Sequence, residues 1–133
     1  MASPSPAPTF FGPVLLARDF ELTVDFYRRI IGLPVEGRAP YARCISKPST
    51  FSIADGNWWA QINGDENPVQ DESPVSNLVL VIQVSDLEAV FERLMALEVK
   101  FLFPPTLRPA LGARNAFLRD PDGRFVALTE TLP

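Results

Sequence analysis

The sequence pattern is clearest close to the C-terminus, in the segment Arg119-Asp-Pro-Asp-Gly-Arg-Phe-Val-Ala-Leu-Thr-Glu130. Its Asp-Pro-Asp-Gly part is turn chemistry, because proline presets φ, aspartate bonds its own backbone and glycine accepts a positive φ. The β-favouring residues 125–129 follow and predict a strand. Residues 53–60 have the same form around Asp55-Gly56, so we predict a second turn that leads into a strand.

Two pairs of landmarks share one spacing along the chain. The Asp-Gly pairs at Asp55 and Asp122 lie 67 positions apart, and so do Asp19 and Asp86. Asp19 and Asp86 each follow a short apolar stretch and precede a helical pattern, which predicts a strand, an N-cap and a helix. Landmarks of different chemistry at one offset indicate a tandem duplication of a β-α-β-β-β unit.

The first half is predicted to contain one helix and several short strands. The helix begins after Asp19 and ends at Gly32. Leu22, Phe26 and Ile30 recur at i, i+4 and i+8 and predict its apolar stripe. The strands are predicted at about residues 11–17, 34–38, 42–45 together with 51–54, and 58–63.

The second half repeats this order with clearer boundaries. Asp86 caps a helix, and Pro104-Pro105 is predicted to end a strand, with a loop over residues 106–112. The apolar face of the helix is predicted to consist of Leu87, Val90, Phe91, Leu94 and Leu97. The strands are predicted at about residues 78–84, 99–103, 114–118 and 125–129.

These elements predict the domain boundaries. Residues 1–9 are rich in proline and serine and are expected to form a disordered tail. Residues 10–133 are expected to form a single domain, with module one at about 11–64, a polar linker at 65–76 and module two at about 77–131.

Composition excludes several classes of function. The net charge of −4 gives no basic surface for nucleic acid, and no apolar run approaches the ~20 residues that span a membrane. The single cysteine, Cys44, cannot form an internal disulfide, and we expect a cytoplasmic protein. The chain has no histidine, which excludes Ser-His-Asp and Cys-His catalysis and imidazole metal ligands.

Three motifs resemble the vicinal oxygen chelate superfamily, which includes glyoxalase I, extradiol dioxygenases and bleomycin-resistance proteins. They are Asp19-x6-Phe26-Tyr27-x4-Gly32-Leu33, Val84-Ser-Asp86-Leu-Glu and Phe117-Leu-Arg-Asp-Pro-Asp-Gly123. The resemblance implies an α+β fold in which two tandem βαβββ modules form a cup-shaped mixed sheet with helices outside. It also implies a homodimer.

The resemblance further implies where metal-using members place their ligands. Those positions fall here on Gly12 and Val79 in the first strands of the modules, and on Ala60 and Ala127 in the last strands. None of these side chains can donate an electron pair, so we expect no metal and no cofactor. Glu130, Gln61 and Gln83 remain as possible oxygen ligands, although one carboxylate and two amides make a poor catalytic site.

Small residues at the ligand positions leave space between aromatic side chains for a small-molecule ligand. Strand alternation places Trp58 on the face of Ala60 and Phe125 on the face of Ala127. The alternatives are core packing for the aromatic residues and a solvated surface for the polar ones. The candidate ligand-binding residues are Trp58, Phe125, Tyr41, Phe103, Arg114 and Asn115.

We therefore predict a metal-free small-molecule-binding protein, closest in character to the bleomycin-resistance members, that sequesters an antibiotic or another aromatic ligand in an apolar cleft. One alternative is a metal-independent enzyme of the lyase or isomerase type, in which Glu130, Tyr41 or Cys44 moves a proton. Another is a vestigial regulatory module.

Overall fold

The computed structural model of the 133-residue chain describes residue 7 and residues 12–47, 49–62 and 78–133. The predicted tail and linker fall almost wholly outside these residues. The chain divides into two compact units, Met1–Val69 and Gln70–Pro133. In the described residues each unit has one four-stranded mixed sheet with helices, which confirms the α+β fold of two β-α-β-β-β modules. Within the same ranges, no helix has the length and apolar character needed to span a membrane.

The first unit has the sheet order β1-β4-β3-β2. β1 pairs with β4 in parallel, and the other two pairs are antiparallel. Helix α1 follows β1 and continues directly into a π-helical segment, and α2 follows β4. The bounds are β1 Val14–Ala17, α1 Phe20–Asp25, the π-helical segment Phe26–Ile31, β2 Val35–Arg38, β3 Tyr41–Cys44, β4 Phe51–Asp55 and α2 Gly56–Ile62.

The second unit has the corresponding order β5-β8-β7-β6, with β5 and β8 parallel. Helix α3 packs on the sheet through β6, β7 and β8. The bounds of the elements in this unit are β5 Val79–Gln83, α3 Leu87–Ala96, β6 Phe101–Arg108, a 3-10 turn Pro109–Leu111, β7 Ala113–Arg119 and β8 Phe125–Thr131.

The helix caps are as predicted, but the predicted apolar stripe of the first helix is only partly correct, since Phe26 is buried, Ile30 is half-buried and Leu22 is exposed. Asp19 Oδ1 accepts a hydrogen bond from the Leu22 backbone N–H at 3.1 Å, and Asp86 does the same for Ala89. Leu22 is 54% exposed, because the buried face begins at Phe20 and continues through residues 23 and 24. Beyond residue 25 the chain is π-helical, so the spacing of 3.6 residues per turn no longer applies. In α3 the predicted face is correct except for Leu97, which is 47% exposed.

The strand predicted at residues 58–63 is wrong, because the described part of this stretch belongs to α2. Asp55 Oδ1 accepts hydrogen bonds from the backbone N–H groups of Asn57 at 2.9 Å and Trp58 at 3.1 Å, so it caps this helix. The last strand of the first unit is β4, which precedes Asp55-Gly56, whereas the Asp122-Gly123 turn precedes β8. The spacing shared by the two Asp-Gly pairs is therefore not structural.

β6 extends further than predicted. It passes through Pro104-Pro105 and takes in the first three residues of the predicted loop, ending at Arg108. Proline is tolerated here because β6 is an edge strand, and its pairing with β7 shifts register on both sides of Phe103. This extension brings Arg108 opposite Ala113 of β7.

Candidate functional site

The register of the second sheet separates its residues into two faces. Phe117 of β7 lies opposite Ala127 of β8, and Asn115 lies opposite Thr129. Because side chains alternate along a strand, these residues share the face of the sheet that is opposite α3. We call it the aromatic face.

Three phenylalanine rings form a row across the aromatic face. The Phe103 and Phe117 ring centroids are 5.9 Å apart, and those of Phe117 and Phe125 are 6.5 Å apart. Phe103 is 49% exposed, while Phe117 and Phe125 are half-buried. Ala127 lies opposite Phe117, is 3% exposed and contributes only a methyl group to this face. Separations of this size are typical of aromatic pairs that attract one another.

Each end of the row carries a guanidinium group. Arg108 Cζ lies 5.6 Å from the Phe103 centroid, and Arg119 Cζ lies 4.4 Å from that of Phe125, both within range of cation–π attraction. Arg108 Nε donates to Oδ1 of the buried Asn115 at 3.2 Å. Arg119 Nη1 donates to the Gly123 carbonyl at 2.8 Å and is thereby tied to the turn before β8. The aromatic face thus combines apolar rings with fixed hydrogen-bond donors.

Of the predicted ligand-binding residues, the structure brings Phe103, Asn115 and Phe125 together on this face. Arg114 lies on the other face, where it pairs with Glu88 of α3 and approaches Glu130 to 4.0 Å. Phe117 and Arg108 were missed. Alternation from Asn115 would have indicated Phe117, whereas Arg108 lay in the predicted loop.

Tyr41 and Trp58 are neighbours in the first unit. Their ring centroids are 6.2 Å apart, and both side chains are half-buried. The Tyr41 hydroxyl donates to Ser52 Oγ at 2.7 Å. Trp58 reaches this position from a helix and not from the predicted strand, so the alternation argument made for it does not apply.

The register also corrects the position implied for a metal ligand in β4. Val14 lies five residues before Asp19 and pairs with Ser52, and Val81 lies five residues before Asp86 and pairs with Ala127. Ser52, not Ala60, is therefore the counterpart of Ala127. Ala60 is a buried residue of α2.

The side chains at these positions do not fit a divalent ion. Ser52 contributes one hydroxyl, which already accepts a hydrogen bond, and Val79 and Ala127 contribute no donor atom. Gly12 has φ +142°, and a Cβ built on it would lie 2.3 Å from the Thr50 carbonyl oxygen, so a ligand side chain has no room there. Among the described residues, no group of three or more Cys, Asp or Glu side chains is arranged to hold a metal.

Glu130 and Gln83, two of the remaining polar candidates, are engaged in other contacts. Glu130 Oε1 accepts a hydrogen bond from the Leu87 backbone N–H at 3.2 Å, which places this carboxylate at the start of α3. Gln83 Nε2 donates to the Thr131 hydroxyl, and Gln61 is exposed on α2. Cys44 is 1% exposed. These placements give no support to the proton-transfer roles considered for Glu130 and Cys44.

The family model of the glyoxalase/bleomycin resistance protein/dioxygenase superfamily matches residues 11–128. The chain belongs to this superfamily. The uncharacterized protein YraH of Bacillus subtilis strain 168 is 28% identical to it over 121 residues, which cover 89% of this chain and 94% of YraH.

Several solved structures share the fold of this chain. A protein of unknown function from Agrobacterium tumefaciens C58 has a TM-score of 0.81 at 24% identity and covers 96% of this chain and 98% of its own. A glyoxalase/bleomycin resistance protein/dioxygenase from Nocardioides has a TM-score of 0.76 at 20% identity, with coverage of 96% and 87%. At these identities the likeness extends to the fold alone.

Proposed function

We propose that this superfamily member binds a flat aromatic small molecule on the aromatic face and needs no metal ion to do so. The observation that carries the proposal is the row formed by Phe103, Phe117 and Phe125. Each ring contacts the next, and the Phe103 end of the row is exposed to solvent. An aromatic ligand placed beside these rings gains stacking and burial together.

The metal-free part of the proposal is supported by donor chemistry. Metal-assisted catalysis requires several oxygen, nitrogen or sulfur ligands around one ion. Gly12, Val79 and Ala127 supply none through their side chains, and the Ser52 hydroxyl is a weak neutral donor. Sequestration of an aromatic antibiotic, as in the bleomycin-resistance members of the superfamily, is a role that requires binding without chemistry.

Tyr41 and Trp58 are proposed as a separate aromatic contact within the first unit, independent of the aromatic face. Both tryptophans of the chain lie in this unit, at positions 58 and 59. Quenching of tryptophan fluorescence during a titration therefore reports a ligand near this pair, whereas calorimetry reports binding anywhere on the protein. Parallel titrations with bleomycin and with the neutral compound 2-naphthamide, with metal analysis of the same sample, test the proposal.

The sharpest test is a pair of substitutions in β6. Phe103→Ala removes one ring of the row and is expected to weaken binding of 2-naphthamide about fivefold, since an aromatic pair contributes about 1 kcal/mol. Leu107→Ala is the matched control, because Leu107 is 54% exposed on the same strand but pairs with Arg114 and so lies on the other face. Equal affinities for the two variants, or no binding by the wild-type protein, would refute the proposal.

A further inference from the structure

We infer that the ligand of the aromatic face is an aromatic carboxylate, whose charged group binds at Arg108 and Asn115. This inference rests on the proposed function and adds the chemical class of the ligand. It starts from an imbalance of charge: the protein carries a net charge of −4, yet the described residues that the register assigns to this face include Arg108 and Arg119 and no carboxylate.

Arg108 differs from the other arginines that hold this unit together. Arg114 pairs with Glu88, and Arg124 pairs with Asp120 at 2.9 Å. Arg108 has no acidic partner among the described residues, and its hydrogen bond is made to the neutral amide oxygen of Asn115. A half-buried guanidinium without a counterion favours an anion that arrives from solution.

The contact with Asn115 orients the group for such an anion. The Arg108 Nε–H donates to Asn115 Oδ1, and the two terminal nitrogens of the guanidinium carry four further N–H groups. Because Oδ1 faces Arg108, the Asn115 amide nitrogen provides further donors beside the guanidinium, and it bonds to none of the described residues. Asn115 is 5% exposed and lies in the central strand β7, so the guanidinium is held by a rigid element. The N–H donors of Arg108 and Asn115 suit a carboxylate.

The position of this site next to the rings defines the rest of the ligand. The Arg108 guanidinium carbon lies 5.6 Å from the Phe103 ring, which begins the row that continues through Phe117. A carboxylate attached directly to a flat ring system therefore reaches the donors while the rings contact phenylalanine. Arg119, at the other end of the row, is exposed and donates to the turn carbonyl of Gly123, so we assign it no anchoring role.

The test compares 2-naphthoate with 2-naphthamide, which differ in the charge of one group on the same rings. In NMR-monitored titrations of the wild-type protein, we expect naphthoate to bind about tenfold more tightly, because hydrogen bonds to an ionised acceptor are about twice as strong as neutral ones. Arg108→Gln should reduce this preference to less than about twofold. Lys100→Gln removes the same charge from an exposed position just before β6 and should preserve it.

Asn115→Asp supplies a second variant that retains the packing and places a carboxylate against Arg108, so it should also abolish the preference while the protein stays folded. Equal binding of both compounds to the wild-type protein would overturn the inference and leave the proposed function intact. Binding of neither compound would overturn both. A preference that survives Arg108→Gln but is lost in Arg119→Gln would overturn the assignment to Arg108.

Discussion

Single residues determine whether a side chain has room at the implied ligand positions, and Gly12 shows this most directly. The resemblance placed a metal ligand at Gly12 and another at Val79, but the two positions differ in the space around them. Gly12 has φ +142° and backs onto the Thr50 carbonyl, whereas the Val79 side chain is 42% exposed. One position forbids any side chain, and the other accepts one.

This difference predicts the effect of restoring histidine at each position. Gly12→His should lower the free energy of unfolding by about 1–3 kcal/mol, because its Cβ cannot avoid the Thr50 oxygen without movement of the backbone. At protein concentrations low enough for the chain to be monomeric, Val79→His should change it by about 0.5 kcal/mol or less, because Val79 is then exposed. Urea unfolding measures both. Similar midpoints for the two variants would contradict the steric argument.

At the scale of elements, Asp-Gly has two different roles in this chain. In the second unit, Asp120-Pro121 precedes Asp122-Gly123, and Asp120 Oδ1 accepts hydrogen bonds from the N–H groups of Asp122 and Arg124, each at 2.9 Å. This turn leads into β8 as predicted. Asp55, in contrast, caps α2. Aspartate suits both an N-cap and a turn, so the dipeptide alone does not distinguish them.

The predictable part of the molecule follows from such local rules. The caps at Asp19 and Asp86, the turn before β8 and the shared face of Phe125 and Ala127 depend on neighbouring residues or on strand alternation. The position of Arg108 depends on long-range pairing, since β6 crosses Pro104-Pro105 only because it is an edge strand with register shifts. Neither the two-residue alternation of strands nor the 3.6-residue period of helices indicates this long-range pairing of β6 with β7.

The turn before β8 also holds a buried ionic cluster whose strength can be tested. Arg124 Nη1 contacts Asp120 Oδ2 at 2.9 Å and Asp122 Oδ2 at 3.3 Å, and all three side chains are buried. Arg124→Met keeps the volume but leaves two buried carboxylates without this cation. We expect a loss of about 3–5 kcal/mol in the free energy of unfolding, measured by urea denaturation.

Arg29→Met serves as the comparison on the surface. Arg29 Nε contacts Asp25 Oδ1 at 3.0 Å, and this hydrogen bond holds the pKa of the Asp25 carboxyl below its ordinary value of 3.8. A carboxyl group whose pKa is lower in the folded than in the unfolded protein stabilises the fold at pH values above the unfolded-state pKa. This stabilisation is lost as the pH falls through the folded-state pKa. Because the Arg29 and Asp25 side chains are 64% and 45% exposed, Arg29→Met should cost far less than Arg124→Met at neutral pH. Equal costs would mean that burial adds nothing to the Arg124 cluster.

For the molecule as a whole, the exposed apolar side chains of β5 form a surface suited to contact with another chain. Val79 and Val81 are 42% and 67% exposed on an edge strand, and Leu78 beside them is 38% exposed. Edge strands and clustered apolar side chains favour association with another chain. We propose that a second copy of this chain covers β5, in keeping with the homodimer that the resemblance implies.

Val81→Asp tests this assembly, because a carboxylate buried between two copies without a partner disfavours the dimer. Sedimentation of the variant should show a monomer, or a dimer dissociation constant raised at least about tenfold over that of the wild-type protein. Leu111→Asp is the matched control, since Leu111 is 69% exposed but lies on the 3-10 turn after β6 and should leave the dimer unchanged. A monomeric wild-type protein, or equal effects of the two substitutions, would show that β5 is not the site of association.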